Sequence, residues 1–470
     1  MSIEVHTPAR PCRPYAKRWA ALAVVLGAEA MDLLDASIMA VSAPTIRDDL
    51  GLGMSSVQWL VAGYSLAMAV GLITGGRLGD IFGRKRMFLV GVLGFVLASL
   101  LCASAPSEEV LIASRVLQGL AGAVMLPQGF GLIKEMFPPK ELVKALAMFG
   151  PVMGVSAVCG PILAGLLIDL DLFGSGWRAS FLVTLPVGVL TLVAAVRLLP
   201  SGAAARETGR ATTRPRLDLP GTLLAGTGSL LVVFPFVQGG ERGWPDWTFV
   251  MLGAGLAVFG VFALRIRRAT SPLVAPSLFR KRAYTGGLLI AVMFSGLVAA
   301  FALILNLLTQ TELGYSPTEA GLAIAPVSVG IVIGSICGFR FARRIGRRTL
   351  HLGLFVTGVG LVTLFALLPE PAESAWRFVP GVLIVGLGMG LMIAPLFDFI
   401  LAGVDDHEVG SASGVLNAVQ QLGSAVGVAV LGTLFITGSF GTATVAMGVA
   451  LALTFGLVFL LPPRTRREAH

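Results

Sequence analysis

The sequence predicts an all-α, polytopic membrane protein with fourteen transmembrane helices, and three observations carry that prediction. Apolar residues fill 55% of 470 positions while Asp, Glu, Lys and Arg fill 13%, and the mean hydropathy is +0.86. A water-soluble domain carries about 25% charge. The apolar residues also gather in runs of roughly 20, the length a helix needs to cross the hydrocarbon core. Finally, the chain holds 59 Gly and 26 Pro, which weaken soluble helices but are tolerated in membranes, where neighbouring helices satisfy the freed backbone groups.

The elements follow in order. Arg10, Arg13, Lys17 and Arg18 precede the first run, 19–43, in the manner of a secretory leader. That run is too long and too acidic for a cleavable one. Runs 56–76, 86–106, 109–133, 144–169 and 178–199 complete an N-terminal six-helix bundle over 19–200, behind a cytoplasmic tail, 1–18. A basic linker rich in Gly, Ala and Thr spans 201–218, and runs 219–238 and 247–266 form two inserted helices within 219–268. Runs 284–309, 318–340, 349–369, 378–402, 408–437 and 440–461 make a C-terminal six-helix bundle, 283–461, before a tail at 462–470.

The net charge of +9 raises the question of nucleic acid, and its distribution answers it. Arginine and lysine cluster in alternate loops: Arg84 to Arg86, Arg206 to Arg216, Arg265 to Arg268 with Arg280 to Arg282, Arg340 to Arg348, and Arg464 to Arg467. The intervening loops carry Asp48, Asp49, Glu108, Glu109, Asp169, Asp171, Glu312, Glu319, Glu370 and Glu373. This alternation is the positive-inside pattern; it places both termini in the cytoplasm and leaves no excess charge for a nucleic-acid partner. Cys12, Cys102, Cys159 and Cys337 are far apart and lack metal-ligand spacing, so no metal site is expected.

Glu29, Asp32 and Asp35 stand out inside the first run. Spaced by three, they share one broad helical face, and a charge at bilayer depth costs several kcal/mol unless it is paired, protonated or wetted. Glu29 lies about ten residues into the run, roughly 15 Å at helical rise, although a solvated position near the inner surface is the alternative. Three carboxylates a turn apart cannot all ionise cheaply. The triplet is therefore the candidate site for protons or a cationic ligand.

Other segments carry motifs. GRLGDIFGRKR (76–86) follows the second run, and GFRFARRIGRR (338–348) follows the second run of the later bundle with Arg343 in the place of Asp80, as an internal duplication would leave it. Gly76, Gly79 and Gly83 permit close helix contact and a turn, and Asp80 can accept hydrogen bonds from Arg84 or sit at the positive end of a neighbouring helix. LIASRVLQGLAGA (111–123) places Arg115 at membrane depth, where it needs a carboxylate or carbonyl partner, and the acidic first run is the natural supplier. MGVSAVCGPILAG (153–165) lines up Gly154, Gly160 and Gly165 for close helix packing, with Pro161 to bend the span.

These three motifs resemble those of the major facilitator superfamily, and within it the fourteen-span drug:H⁺ antiporter family. LLDASIMAVSAPTI (33–46), SSVQWLVAGYSLAMA (55–69), WRASFLVTLPVG (177–188), LGYSPTEAGLAIAP (313–326) and GSASGVLNAVQQLGSAVGVAVLG (410–432) are similar to further family segments. Departures are Ala40 and Thr184, where asparagine is usual in the family, and Ala164 in place of a second glycine. The tails and the linker carry no match.

The resemblance implies the major facilitator fold and a secondary active efflux transporter that exports amphipathic drugs or an antibiotic in exchange for protons, by alternating access. Asp35, with Asp32 and Glu29, would bind protons or substrate and Arg115 would couple to them; a static buried ion pair is the alternative for Arg115. The segment around Asp80 would latch the cytoplasmic side, and the one around Gly160 would mark an exporter. A dedicated exporter of one natural product, or a non-transporting receptor, are the other readings. Gln58, Tyr64, Gln128, Asn306, Gln310, Asn417 and Gln420 are polar candidates for the cavity, with helix-to-helix bonding as the competing role. No metal-ligand pair, nucleophile with a base or phosphate loop is present, so neither an enzyme nor a cofactor is expected, only a proton gradient as drive. The expected partners are a small lipophilic substrate, neutral or cationic, with protons and the bilayer, the expected assembly a monomer, and the expected location a bacterial plasma membrane.

Overall fold

A computed structural model of the chain describes residues 15–138, 141–142, 144–145, 148–171, 174–200, 218–239, 242–268, 276–368, 375–401, 404 and 409–463. Most of the N-terminal tail, nearly all of the linker and the last seven residues lie outside this set, as do the basic cluster 206–216, Cys12, Glu370, Glu373 and the side chain of Arg343.

Among the described residues every element is helical. In chain order they are α1 (Arg18–Leu50), α2 (Met54–Phe82), α3 (Arg84–Ala103), α4 (Glu108–Met136), α5 (Phe149–Leu170), α6 (Arg178–Leu182), α7 (Thr184–Leu198), α8 (Leu219–Gly239) and α9 (Asp246–Arg268). There follow α10 (Arg282–Leu307), α11 (Pro317–Ile345), α12 (Arg348–Ala366), α13 (Val379–Leu401), α14 (Val409–Thr437) and α15 (Phe440–Leu457). Among the described residues, 13 helical stretches are long and apolar enough to cross a bilayer with at most two charged residues in eighteen. The 33-residue α1 is long enough to be the fourteenth and falls outside that count through its charges.

Helix ends depart from the apolar runs for local reasons. α1 continues seven residues past position 43 because its polar last turn is still helical, and it stops at Gly51, whose φ of 63° suits glycine. The sixth span is two helices in line: Pro186 has no N–H to offer the carbonyl of Leu182, where α6 ends. The ninth span ends in a π-helical turn, Leu308–Glu312, closed by the Leu313 N–H on the Leu308 carbonyl at 3.0 Å.

Packing repeats within the chain. α4 lies against α2 and α3, and α13 lies in the same way against α11 and α12; α1 packs on α5, and α10 on α14. Between the groups, the second helix of each meets the fifth of the other, α2 on α14 and α5 on α11. This pseudo-two-fold pattern is what an internal duplication produces. Close approach needs small residues: a Cβ on Gly75 would strike the Ala123 backbone of α4, and one on Gly334 the Leu387 backbone of α13. The pair α8 and α9 sits at the edge, with α8 against α2 and α14. One end of the bundle carries Lys85, Arg86, Arg344 and Arg347, and the other carries Asp49, Glu109, Asp169 and Glu319. These are the basic and acidic ends below.

Candidate site in the first and fourth helices

Asp35 is fully buried on α1, and Arg115, 1% exposed on α4, meets it with Nη1 to Oδ2 at 2.6 Å. The guanidinium has no slack. Its Nε donates to the Leu60 carbonyl of α2 at 3.1 Å, Nη1 also donates to Gln118 Oε1, and its Cζ lies 4.5 Å from the centre of the Tyr64 ring. Gln118 Nε2 donates to the second Asp35 oxygen at 2.7 Å and to Ser99 Oγ on α3 at 2.8 Å. Four helices thus converge on one ion pair, which burial makes electrostatically strong and costly to break.

One turn toward the basic end, Asp32 is buried and accepts a hydrogen bond from the Tyr64 hydroxyl. Tyr64 therefore touches both carboxylate systems, its hydroxyl on Asp32 and its ring beneath Arg115. Glu29, a further turn along, is half-buried, and among the described residues nothing donates a hydrogen bond to its carboxylate. The face of α4 opposite is kept small: a Cβ on Gly122 would lie 3.6 Å from Asp32 Oδ1, and one on Gly129 2.7 Å from Val25.

Gln118 and Ser99 are participants that the sequence reading did not single out. The available signal was spacing, since Gln118 follows Arg115 by three residues and so shares its face of α4.

The Gly-Pro segment of α5 lies between this site and the other helix group. A Cβ on Gly160 would run into Ser37 of α1, and one on Gly165 into the Pro317 and Thr318 backbone of α11. Gly154 faces Val332, and the Pro161 carbonyl lies against Gly321. Around the turn from α2 to α3, Arg84 bonds Asp80 at 3.1 Å and Glu135 of α4 at 3.3 Å, over Gly131. Gly83 carries the turn at φ 97°, Gly79 faces the Gln128 side chain, and Gly76 lies near Pro127.

Three of the six remaining polar candidates are spent on helix-to-helix bonds. Gln128 Nε2 donates to the Gly75 carbonyl at 2.7 Å, Gln58 to Thr433 Oγ1 of α14 at 3.3 Å, and Gln310 to the Val41 carbonyl at 2.9 Å. Asn306 donates within α10 at 2.8 Å and keeps a buried Oδ1 without a partner among the described residues. Asn417 and Gln420 are half-buried on α14.

The sequence profile of the Major Facilitator Superfamily matches residues 25–428 and 288–470. The chain belongs to the major facilitator superfamily. It is a multi-pass membrane transporter and not an enzyme, related to the fourteen-span exporters of that superfamily. A probable actinorhodin transporter of Streptomyces coelicolor is 51% identical over 94% of this chain and 77% of that protein. The puromycin resistance protein pur8 of Streptomyces alboniger is 38% identical over 90% of this chain and 82% of its own length. The tetracenomycin C resistance and export protein of Streptomyces glaucescens is 33% identical over 91% and 78%. Among solved structures, a peptide transporter in complex with sulfate superposes with a TM-score of 0.66 at 17% identity, covering 94% of this chain and 95% of that one. At that identity the likeness speaks for the major facilitator fold alone.

Proposed function

We propose that this superfamily member is a dedicated exporter of one natural-product antibiotic, driven by inward proton flow across a bacterial plasma membrane, with both termini cytoplasmic. The observation that carries the reading is the 51% identity, along 94% of the chain, to a probable actinorhodin transporter, beside resistance and export relatives for puromycin and tetracenomycin C. Those names favour a narrow substrate over a general multidrug range. Orientation rests on the arginine-rich loops.

In this reading Asp35 is committed to Arg115 and holds the four helices, while Asp32 and Glu29 exchange protons and substrate. The support is their difference in partners: Asp35 has both oxygens engaged, Asp32 one, and Glu29 none among the described residues. A proton and an exported molecule that compete for one carboxylate are sufficient for antiport. α5 would carry the outcome to the seam, because its glycines touch α1 on one face and α11 on the other.

The test is proton-gradient-driven efflux from vesicles, run over a panel of natural-product antibiotics and lipophilic cations, with Asp35→Asn, Asp32→Asn, Glu29→Gln and Arg115→Ala. Movement of one or a few antibiotics by the wild type, lost in Asp32→Asn and Glu29→Gln although both still insert, supports the proposal. Broad movement of lipophilic cations returns the chain to the multidrug reading. Full coupling in all four variants overturns the site.

A further inference from the structure

An open groove of about 740 Å³ runs between α8 and α9 toward the basic end. Its walls are aliphatic, Leu223 and Leu224 on α8 with Val258, Val261 and Leu264 on α9, and its basic end is closed by Arg265. Leu223 is 69% exposed and Leu264 56%, so the groove faces whatever surrounds the bundle. In a membrane transporter that surrounding is lipid.

The polar end is built rather than incidental. Arg265 Nη2 bonds Asp218 Oδ1 at 2.8 Å, and the same Asp218 oxygen accepts the Gly221 N–H at 3.0 Å at the start of α8. Asp218 is buried, and among the described residues its second oxygen and Arg265 Nε lack hydrogen-bond partners. Arg77 of α2 is a second positive charge close enough to act on Asp218. In the sequence α9 ends on Arg267 and Arg268, and Arg280, Lys281 and Arg282 lead into α10.

We propose that this groove is a binding site for an anionic phospholipid, with the headgroup phosphate on the exposed edge of Arg265 and one acyl chain along the aliphatic walls. Guanidinium suits phosphate through paired N–H donors, and basic pockets between helices at the cytoplasmic face select anionic headgroups. The site has a structural consequence. α8 is fastened to α2 by the Thr74 and Thr222 hydroxyls at 2.8 Å and by Gly226 against Val70, so a lipid across α8 and α9 would steady the pair beside the 76–86 segment.

The experiment is native mass spectrometry of the full chain in detergent, titrated with dioleoyl phosphatidylglycerol or dioleoyl phosphatidylethanolamine. The wild type should retain one phosphatidylglycerol at several-fold higher occupancy than phosphatidylethanolamine. Arg265→Gln should erase that preference, Arg265→Lys should keep part of it, and Arg242→Gln at the acidic end should leave it intact. Val261→Trp fills the groove from a half-exposed position without entering the core, and should lower occupancy even where Arg265→Gln fails to fold. Equal retention of the two lipids, unchanged occupancy in Val261→Trp, or chain dimers in place of lipid-bearing monomers would overturn the assignment.

Discussion

Arg115 is fully buried and pairs with Asp35 as its countercharge. Substituting Asp35 by Asn leaves the guanidinium without its carboxylate, and removal of one member of a buried pair costs about 3–5 kcal/mol. Thermal unfolding in detergent should show that loss in Asp35→Asn, with part of it recovered when Arg115→Met is added. Gln118→Leu is a milder probe: it strips Asp35 Oδ1 and Ser99 of a shared donor, worth about 1–3 kcal/mol for a buried group left unsatisfied. Proton-driven efflux should fall along with the melting temperature in that variant.

At the acidic end, Asp49 accepts from the Trp177 indole at 2.9 Å and from Arg178 at 3.0 Å. Those bonds, the indole first, hold its carboxyl below the usual range. A depressed carboxylate stabilises the fold above its unfolded value, near 3.9, and that contribution disappears as pH falls through the lower folded value. The gap in melting temperature between wild type and Asp49→Asn should thus be full at pH 6 and close only at pH below about 4. A gap that stays constant down to pH 3 would contradict this.

Among the elements, α5 is the one whose substitutions read out conformation rather than stability alone. Gly160→Val puts two methyls into Ser37 and should separate α1 from α5, with loss of transport and of thermal stability together. Gly165→Ala presses instead on the α11 backbone across the seam. Its expected effect is to open the acidic end, seen as faster labelling of a reporter cysteine at Tyr315, with a lower melting temperature because the α11 backbone must shift. The broken sixth span offers a converse case. Pro186→Leu restores the missing donor to the Leu182 carbonyl and should join α6 to α7.

At the scale of the whole molecule, the two helix groups are joined by hydrogen bonds at the acidic end. Hydrogen bonds that cross between the helix groups there include Gln58 with Thr433, Gln310 with the Val41 carbonyl, and the Thr318 N–H with Asp169 at 2.9 Å. The last sets a carboxylate on the positive N-terminus of α11, worth about 0.3–1 kcal/mol where exposed. The proposed transport cycle requires this end to part. A short bismaleimide link between Gln58→Cys and Thr433→Cys, on a background without the four native cysteines, should stop efflux while leaving substrate able to bind from the basic end. Continued efflux after complete linkage would mean that the seam does not move.

The sequence by itself determined the solvent, the helices and the ends that share a charge, because bilayer thickness fixes run length and the cost of membrane-buried charge leaves few places for Asp and Arg. It also made the acidic first run the candidate partner of Arg115, since neither charge can stay buried alone. What it left undetermined are the matters settled by three-dimensional neighbours. Asp35, Asp32 and Glu29 look alike in the chain, and only packing separates them, into a carboxylate with both oxygens engaged, one with a tyrosine and one without a donor among the described residues. Gln58 and Gln128 read equally as cavity groups or as links between helices until folding spends their amides on Thr433 and Gly75. Hydropathy reports how a side chain partitions between water and lipid, which is a property of the residue. Which hydrogen bond it makes is a property of the distance to another helix, and that distance exists only in the folded chain.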